Sequence, residues 1–402
     1  MSRPLAKTAP ASAGVRQLTL TGFLDELARR AEVRDPLRPA TRLFLVVLGL
    51  MAVGFLLQAS HAATTLSEAH FRVELRSQAA FRLAAIGVML LCFQIGPLRV
   101  RRLLPHLMLF AGALLLACFV PPFGVVKNGS HRWVDLGVTF QPSELARVVL
   151  VLWIADRCVR LGHLVFDVRR GVLPMLAVSL AYFGLILMET DLGGAMLLLI
   201  CALSTMWVGG ARLRQVGTSL VAIGGGVIAA ALLFVPYMRD RIAMWLGQVE
   251  NEQVMSTLDA LSSGGAGGAG FTHGVFRNDG VPYLESDYVF ALVGEELGVF
   301  GMWIVLALIC AFLWFSLRLV LSLRDRFEAL CSFGLLVSVG LQAMVHVQVV
   351  SGLAPPKGMT LPFLSDGGTS LIVSSLAVGL ALGAARRNSL EQIPCNRSNA
   401  TE

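Results

Sequence analysis

Several apolar runs in this sequence exceed the roughly 18–20 residues that a helix needs to cross the hydrocarbon core of a bilayer. Inside that core each backbone N–H and C=O must find a partner, which favours helices within such runs. The composition agrees. Of the 402 residues, 55% are hydrophobic and 15% charged, against about 45–50% and about 25% in a soluble domain. The chain reads as an all-α polytopic membrane protein with about ten transmembrane helices. The predicted spans are 42–60, 79–97, 103–122, 145–158, 172–190, 192–210, 215–238, 287–316, 329–350 and 369–385.

The basic residues orient these spans. Arg99, Arg101 and Arg102 fall between spans two and three, and Arg157, Arg160, Arg169 and Arg170 between four and five. Arg212 and Arg214 follow span six, Arg318, Arg324 and Arg326 span eight, and Arg386 and Arg387 span ten. All these loops lie on the side of the basic N-terminal stretch, so the positive-inside rule makes that side cytoplasmic and puts both termini there. The expected organisation is a cytoplasmic tail over 1–40, a ten-helix domain over 41–386 with a large periplasmic loop at 239–286, and a cytoplasmic tail over 387–402. The first apolar run is long enough to stay as a span, so it is not read as a signal peptide. Within the first tail, residues 18–27 carry either an interfacial helix or a few leucines in a disordered segment. The net charge of +7 is spread over short loops, which fits topology control and membrane lipid rather than nucleic acid. Seven cysteines, none in a predicted outer loop, give neither a disulfide framework nor zinc spacing.

The loops on the other side are poor in Lys and Arg yet hold the unusual polar sequence. They are 125–144, 239–286 and 351–370, with the junction METDLGGA at 188–195 between spans five and six. The chemistry is therefore expected on the outer face. The stretch 281–298, VPYLESDYVFALVGEELG, sets Asp287 where a polar loop meets a span. An aspartate there is either a helix cap or a base whose ionised form the helix N-terminus favours. Chemistry alone leaves both open.

The motifs resemble those of the SEDS family of bacterial cell-wall proteins, the family of FtsW, RodA and SpoVE. Its pattern GxxRWxxLGxxxFQPSEL is similar to Gly129, Arg132, Trp133, Leu136, Gly137, Phe140, Gln141, Pro142, Ser143, Glu144 and Leu145, with one residue fewer between Gly137 and Phe140. Its PDLGTA is similar to Thr190 through Ala195, and its LPEAHTDFIFAxxGEELG to the stretch around Asp287. Its PxKGxxLPFxSYGGSS is similar to Pro355 through Ser370, where Lys357 leans toward the FtsW branch. There are departures. Asp366 stands where the family has tyrosine, Thr190 replaces a proline, Thr139 sits where many members carry Arg or Lys, and Glu285 replaces a histidine.

The resemblance implies a SEDS-type fold and a peptidoglycan glycosyltransferase that polymerises lipid II at the outer face of the inner membrane, in cell division. It implies a class B penicillin-binding protein as partner, among other division proteins. The family's catalytic aspartate matches Asp287. In such a reaction a sugar hydroxyl attacks an anomeric carbon that carries a lipid pyrophosphate, and a carboxylate takes the hydroxyl proton. Cations must hold the pyrophosphate: Arg132 as a bidentate fork, Lys357 as a point charge, or a divalent metal, Mg or Mn. The same two side chains also suit lipid headgroup anchoring. Glu144, Glu285 and Ser286 are expected substrate contacts, with Glu144 serving equally as a polar first turn of a helix. Two other functions remain open: a lipid II flippase, and a division scaffold with impaired catalysis.

The remaining polar residues have structural readings. Glu295 and Glu296 are expected to pair with an arginine such as Arg147. Trp133 is expected to anchor at the membrane interface, Gln141 through Glu144 to start a helix, and Asp191 to tie irregular backbone. The glycine-rich patch 262–270 reads as a flexible loop rather than a phosphate cradle, because it lacks a Walker pattern. Lys127, Arg239, Arg241 and Arg277 read as solvated charges, and His131 as a local contact. Asp366 is either an added carboxylate near the substrate or a replacement facing water.

Overall fold

A computed structural model describes residues 35–127, 130–135, 137, 139–234, 243–246, 252–276 and 284–392. The tail helix considered at 18–27, and Arg239, Arg241 and Arg277, lie outside the described residues. The chain forms α1 (Leu37–Thr65), α2 (Glu68–Arg101), α3 (Leu104–Ala117), α4 (Pro142–Leu161), α5 (Leu173–Met188), α6 (Leu192–Val208) and α7 (Leu213–Phe234). There follow α8 (Glu252–Ser263), α9 (Val289–Ser322), α10 (Arg326–Val350) and α11 (Gly368–Gln392). Every predicted span falls on one of these helices; α8, inside the large loop, was not expected from hydropathy. Helix α11 runs on into the stretch expected to be the C-terminal tail.

Among the described residues, six helices are long and apolar enough to cross a membrane: α1, α2, α5 with the turn before it, α9, α10 and α11. Large apolar side chains such as Leu83, Leu109, Phe300 and Trp303 point outward, as they must where the surrounding solvent is lipid. The chain is an integral membrane protein. Helices α10 and α11 are its most enclosed spans. Their buried faces carry Ser332, Ser338, Gln342, Ser374 and Ser375, and small polar side chains let membrane helices approach closely. Helix α11 packs most extensively on α2.

The first outer loop departs from the all-helical expectation. It folds as an antiparallel sheet of β1 (Gly124–Lys127), β2 (Ser130–Asp135) and β3 (Thr139–Phe140), in the order β1-β2-β3. Val125 faces Trp133, and Val134 faces both Gly124 and Phe140. The central strand thereby holds Arg132 in a fixed direction.

The glycine-rich patch is not the flexible loop expected. Helix α9 breaks at Gly298, where φ is 64° and ψ is −162°, a conformation essentially restricted to glycine. The break frees backbone groups inside the protein, and the patch satisfies them. Ala269 and Gly270 donate to the carbonyls of Glu295 and Glu296 at 2.9 and 3.0 Å. Val299 and Phe300, which start the second half, donate to Gly265 and Ala266 at 3.0 and 3.3 Å. Non-helical backbone at membrane depth is tolerated only where protein or water completes its hydrogen bonds in this way. Glycine is needed because a Cβ at 298 would overlap the backbone of Gly268. Gly298→Ala is expected to destabilise the protein by about 3 kcal/mol, from strain plus overlap, read as a fall in the thermal midpoint in detergent. An unchanged midpoint would show that the patch and the break do not depend on each other.

Glu295 and Glu296, just before the break, do not pair with Arg147. Glu295 accepts from the Phe276 backbone at 2.8 Å and Glu296 from the Ser60 hydroxyl at 2.8 Å. Arg147 donates to Gln342 instead, at 2.6 Å. The carboxylates look toward the inserted segment and α1, and Arg147 toward α10, so the pair with Arg147 does not form.

Candidate active site

Four helices begin around one cavity. Helix α4 starts at Pro142 after a Gln141 N-cap, as its Gln-Pro-Ser-Glu opening predicts. Helix α6 starts after Asp191, whose Oδ1 accepts from the Gly194 N–H at 2.9 Å. The buried first half of α9 starts after Tyr288, and α11 starts at Gly368. The cavity, of about 570 Å³, is lined by residues from all four starts together with β2 and the 351–367 loop. Each helix start presents unsatisfied N–H groups and roughly half a positive charge. Four of them around one space make a site for an anion.

Asp287, Ser286, Arg132, Lys357 and Glu144 all line this cavity. Asp287 lies in the turn before α9 and is not its N-cap; that position falls on Tyr288. The helix therefore begins at Val289, just inside the predicted span 287–316. The Asp287 carboxylate lies so close to the Gly358 backbone that a Cβ there would overlap it. This puts Asp287 beside Lys357 in space, although the two are 70 positions apart in the chain.

Lys357 makes an ion pair with Asp191, Nζ to Oδ1 at 3.2 Å, and both side chains are largely buried. Burial pushes the Lys357 ammonium below its ordinary value, and Asp191 opposes that. Burial alone would raise Asp191, but Lys357 and then Arg132 hold its carboxyl below the usual range. Asp191 thus ties the helix start, as expected, and also carries a cavity cation. Gln141 donates to its other oxygen at 3.2 Å.

Arg132 Nη2 donates to the Thr190 carbonyl at 2.6 Å, and the Thr190 hydroxyl donates to Ser130 at 2.9 Å. Thr190 has φ of 62°, in a region closed to the proline it replaces. Arg147 was expected elsewhere but lines the cavity. It starts a chain through Gln342, whose Nε2 donates to the carbonyl and hydroxyl of Thr360 at 3.1 and 3.0 Å, and on to Ser370 at 2.9 Å. The signal was present: Arg147 and Gln342 are polar residues inside apolar runs, and such residues usually face a wet interior. Arg132 Nε, Arg147 Nε and Glu144 Oε2 are buried without a hydrogen-bond partner. Unpaired polar atoms in a cavity wall are completed by water or ligand.

Glu285 is the exception among the expected contacts. It is absent from the cavity lining; its carboxylate faces His61 at 3.5 Å, because adjacent turn residues point apart. Trp133, expected at the membrane interface, is among the residues that line the cavity. Asp366 lines it too, and burial raises its carboxyl above the usual range. His131 stacks on Phe119, a local contact as expected.

A helical bundle in which four helix starts, three cations and several carboxylates enclose one cavity defines a membrane-embedded protein with a polar site suited to an anion. Residues 40–390 match the family described as "Cell cycle protein", the family of FtsW, RodA and SpoVE, and this chain belongs to it. A relative from Nitrosomonas europaea named "Probable peptidoglycan glycosyltransferase FtsW" is 33% identical over 89% of this chain and 96% of its own length. "Stage V sporulation protein E" of Bacillus subtilis is 31% identical over 70% of this chain and 78% of its own. Among solved structures, a chain from work on "Structural coordination of polymerization and crosslinking by a peptidoglycan synthase complex" superposes with a TM-score of 0.73. It is 27% identical and covers 86% of this chain and 97% of that one. The rod shape determining protein RodA of Thermus thermophilus superposes with a TM-score of 0.63 at 26% identity, covering 86% and 96%.

Proposed function

We propose that this protein is a peptidoglycan glycosyltransferase that polymerises lipid II at the outer face of the bacterial inner membrane, acting in cell division. The observation that carries this reading is the convergence of four helix starts, Arg132 and Lys357 on the cavity that also holds Asp287. A diphosphate needs such a concentration of fixed positive charge, and a sugar hydroxyl needs a base beside it.

In the reaction, Asp287 takes the proton of the acceptor sugar hydroxyl as that oxygen bonds to the donor's anomeric carbon. The bond from this carbon to the diphosphate oxygen breaks, and its electron pair leaves with undecaprenyl diphosphate. Lys357, Arg132 and the helix N–H groups hold the growing negative charge. Ser286 and Glu144 line the same space as substrate contacts. Among the described residues, no three His, Cys, Asp or Glu side chains are grouped closely enough to hold a metal by themselves. A divalent Mg or Mn ion is therefore proposed to rest on one or two of Glu144, Asp287 and Asp366 together with substrate phosphates, as Mg commonly does. It would supply further neutralisation of the diphosphate.

The partner proposed is a class B penicillin-binding protein, in line with the likeness to a chain from a peptidoglycan synthase complex. The test is conversion of labelled lipid II to glycan strands by the purified protein with and without that partner. Lipid II crossing vesicle membranes with no strand formed would replace this reading with transport. Gly358→Ala probes the geometry. Its Cβ would displace the Asp287 carboxylate, and a misplacement of about 1 Å can cost on the order of 100-fold. A loss of that size is expected in the strand assay with the protein still folded. Normal activity would mean that the carboxylate does not work from this position.

A further inference from the structure

A second cavity, of about 750 Å³, lies at the far end of α2 and α11. Ser370 lines the first cavity and Arg386 the second, and at 1.5 Å per residue they are roughly 24 Å apart along α11. Helix α2 breaks here at Gly96, where φ is 67°, and Pro97 follows inside the helix. At the break α2 and α11 meet backbone to backbone, since a Cβ on Gly383 would fall 2.8 Å from the Gly96 Cα, and both glycines line the cavity. Arg99, Arg101, Arg102, Arg386 and Arg387 line the space, against one carboxylate, Glu328.

The five arginines are not equivalent. Arg101 is committed to Asp156, Nε to Oδ1 at 2.6 Å, and lies over Phe327. Arg387 is committed to Glu391 at 2.9 Å and approaches Glu328 at 3.6 Å. Among the described residues, Arg99, Arg102 and Arg386 have no carboxylate within ion-pair distance. Arg99 donates to the Gln94 carbonyl at 2.9 Å, and Arg386 lies over the Phe93 ring at 5.6 Å. All three are exposed. Topology control needs positive charges on this side, but it does not need them gathered around a cavity.

Beside the arginines, Phe93, Ile95, Leu98 and Leu390 line the same space, and Leu390 and the neighbouring Leu103 are exposed. The lining is therefore both cationic and apolar, with Arg386 lying directly over the Phe93 ring. We propose that this cavity binds the phosphate diester of an anionic glycerophospholipid from the adjacent leaflet, with its acyl chains along Phe93 and Leu98. A soluble anion would use the arginines and leave the apolar wall without a role. This inference does not depend on the activity proposed for the first cavity.

The test uses the full chain in detergent, stripped of lipid. Phosphatidylglycerol, cardiolipin, phosphatidylcholine and inorganic phosphate are titrated separately, with bound lipid counted by native mass spectrometry and the thermal midpoint followed. Phosphatidylglycerol and cardiolipin are expected to bind at least about tenfold more tightly than phosphatidylcholine, and high salt should erase the difference. Each arginine near a membrane surface is worth roughly fivefold. The combined Arg99→Gln, Arg102→Gln, Arg386→Gln variant should therefore lose on the order of 100-fold in anionic-lipid affinity. Wild-type affinity in that variant would overturn the proposal, as would equal binding of phosphatidylcholine. A thermal shift reproduced by inorganic phosphate alone would mean a free-anion site. Should the triple variant fail to fold, the wild-type lipid preference and the Arg102→Gln variant, expected to lose roughly fivefold, decide the question.

Discussion

Replacing Asp287 with alanine is expected to lower strand formation from lipid II by about 10²–10⁴-fold, the range a general base contributes. The protein should still fold, because Asp287 lies in a turn and the cap position of α9 belongs to Tyr288. Substrate affinity should change little, since the cationic groups and the helix starts remain. Loss of turnover with retained binding is the signature of an interaction made only in the transition state. Asp287→Asn keeps the shape and removes the base, so it should fall nearly as far. Activity within a few-fold of wild type in either variant would reassign the base.

The second large effect concerns Lys357. Its ammonium lies 3.2 Å from an Asp191 carboxylate that is 2% exposed. Lys357→Met leaves that carboxylate buried without its ion-pair partner, and breaking a buried pair from one side costs about 3–5 kcal/mol. The thermal midpoint should drop sharply and strand formation should vanish. The double variant Lys357→Met, Asp191→Asn removes both charges while keeping an acceptor for the Gly194 N–H. It should recover most of the stability and none of the activity. Stability and activity returning together would mean that Lys357 only props the fold. A single variant with unchanged stability would show the pair to be solvent-screened.

Much of this architecture was legible because hydropathy is a local property. Each predicted span lies on a helix, and the Gln-Pro-Ser-Glu signature marks the start of α4 where it occurs. The gathering of Asp287, Ser286, Arg132, Lys357 and Glu144 also followed from loops assigned to one side of the membrane. What stayed hidden depends on partners distant in sequence. A run of glycines reads as freedom, yet 264–270 completes the hydrogen bonds of a helix broken at Gly298. The sheet around Arg132 has strands of two to six residues, too short for an alternation to stand out. The direction of a turn residue is likewise invisible, so Glu285 faces His61 and not the cavity. Arg147 finds Gln342, 195 positions away, where spacing along one helix offers no guide.

The most direct measurement is a structure of the Asp287→Asn variant with its partner and bound lipid II. The diphosphate should lie among Lys357, Arg132 and the starts of α4 and α6, within hydrogen-bond reach of about 3 Å, with the acceptor hydroxyl beside residue 287. A diphosphate bound at the opposite end of the bundle, or on the lipid-facing surface away from Lys357 and Arg132, would contradict the assignment.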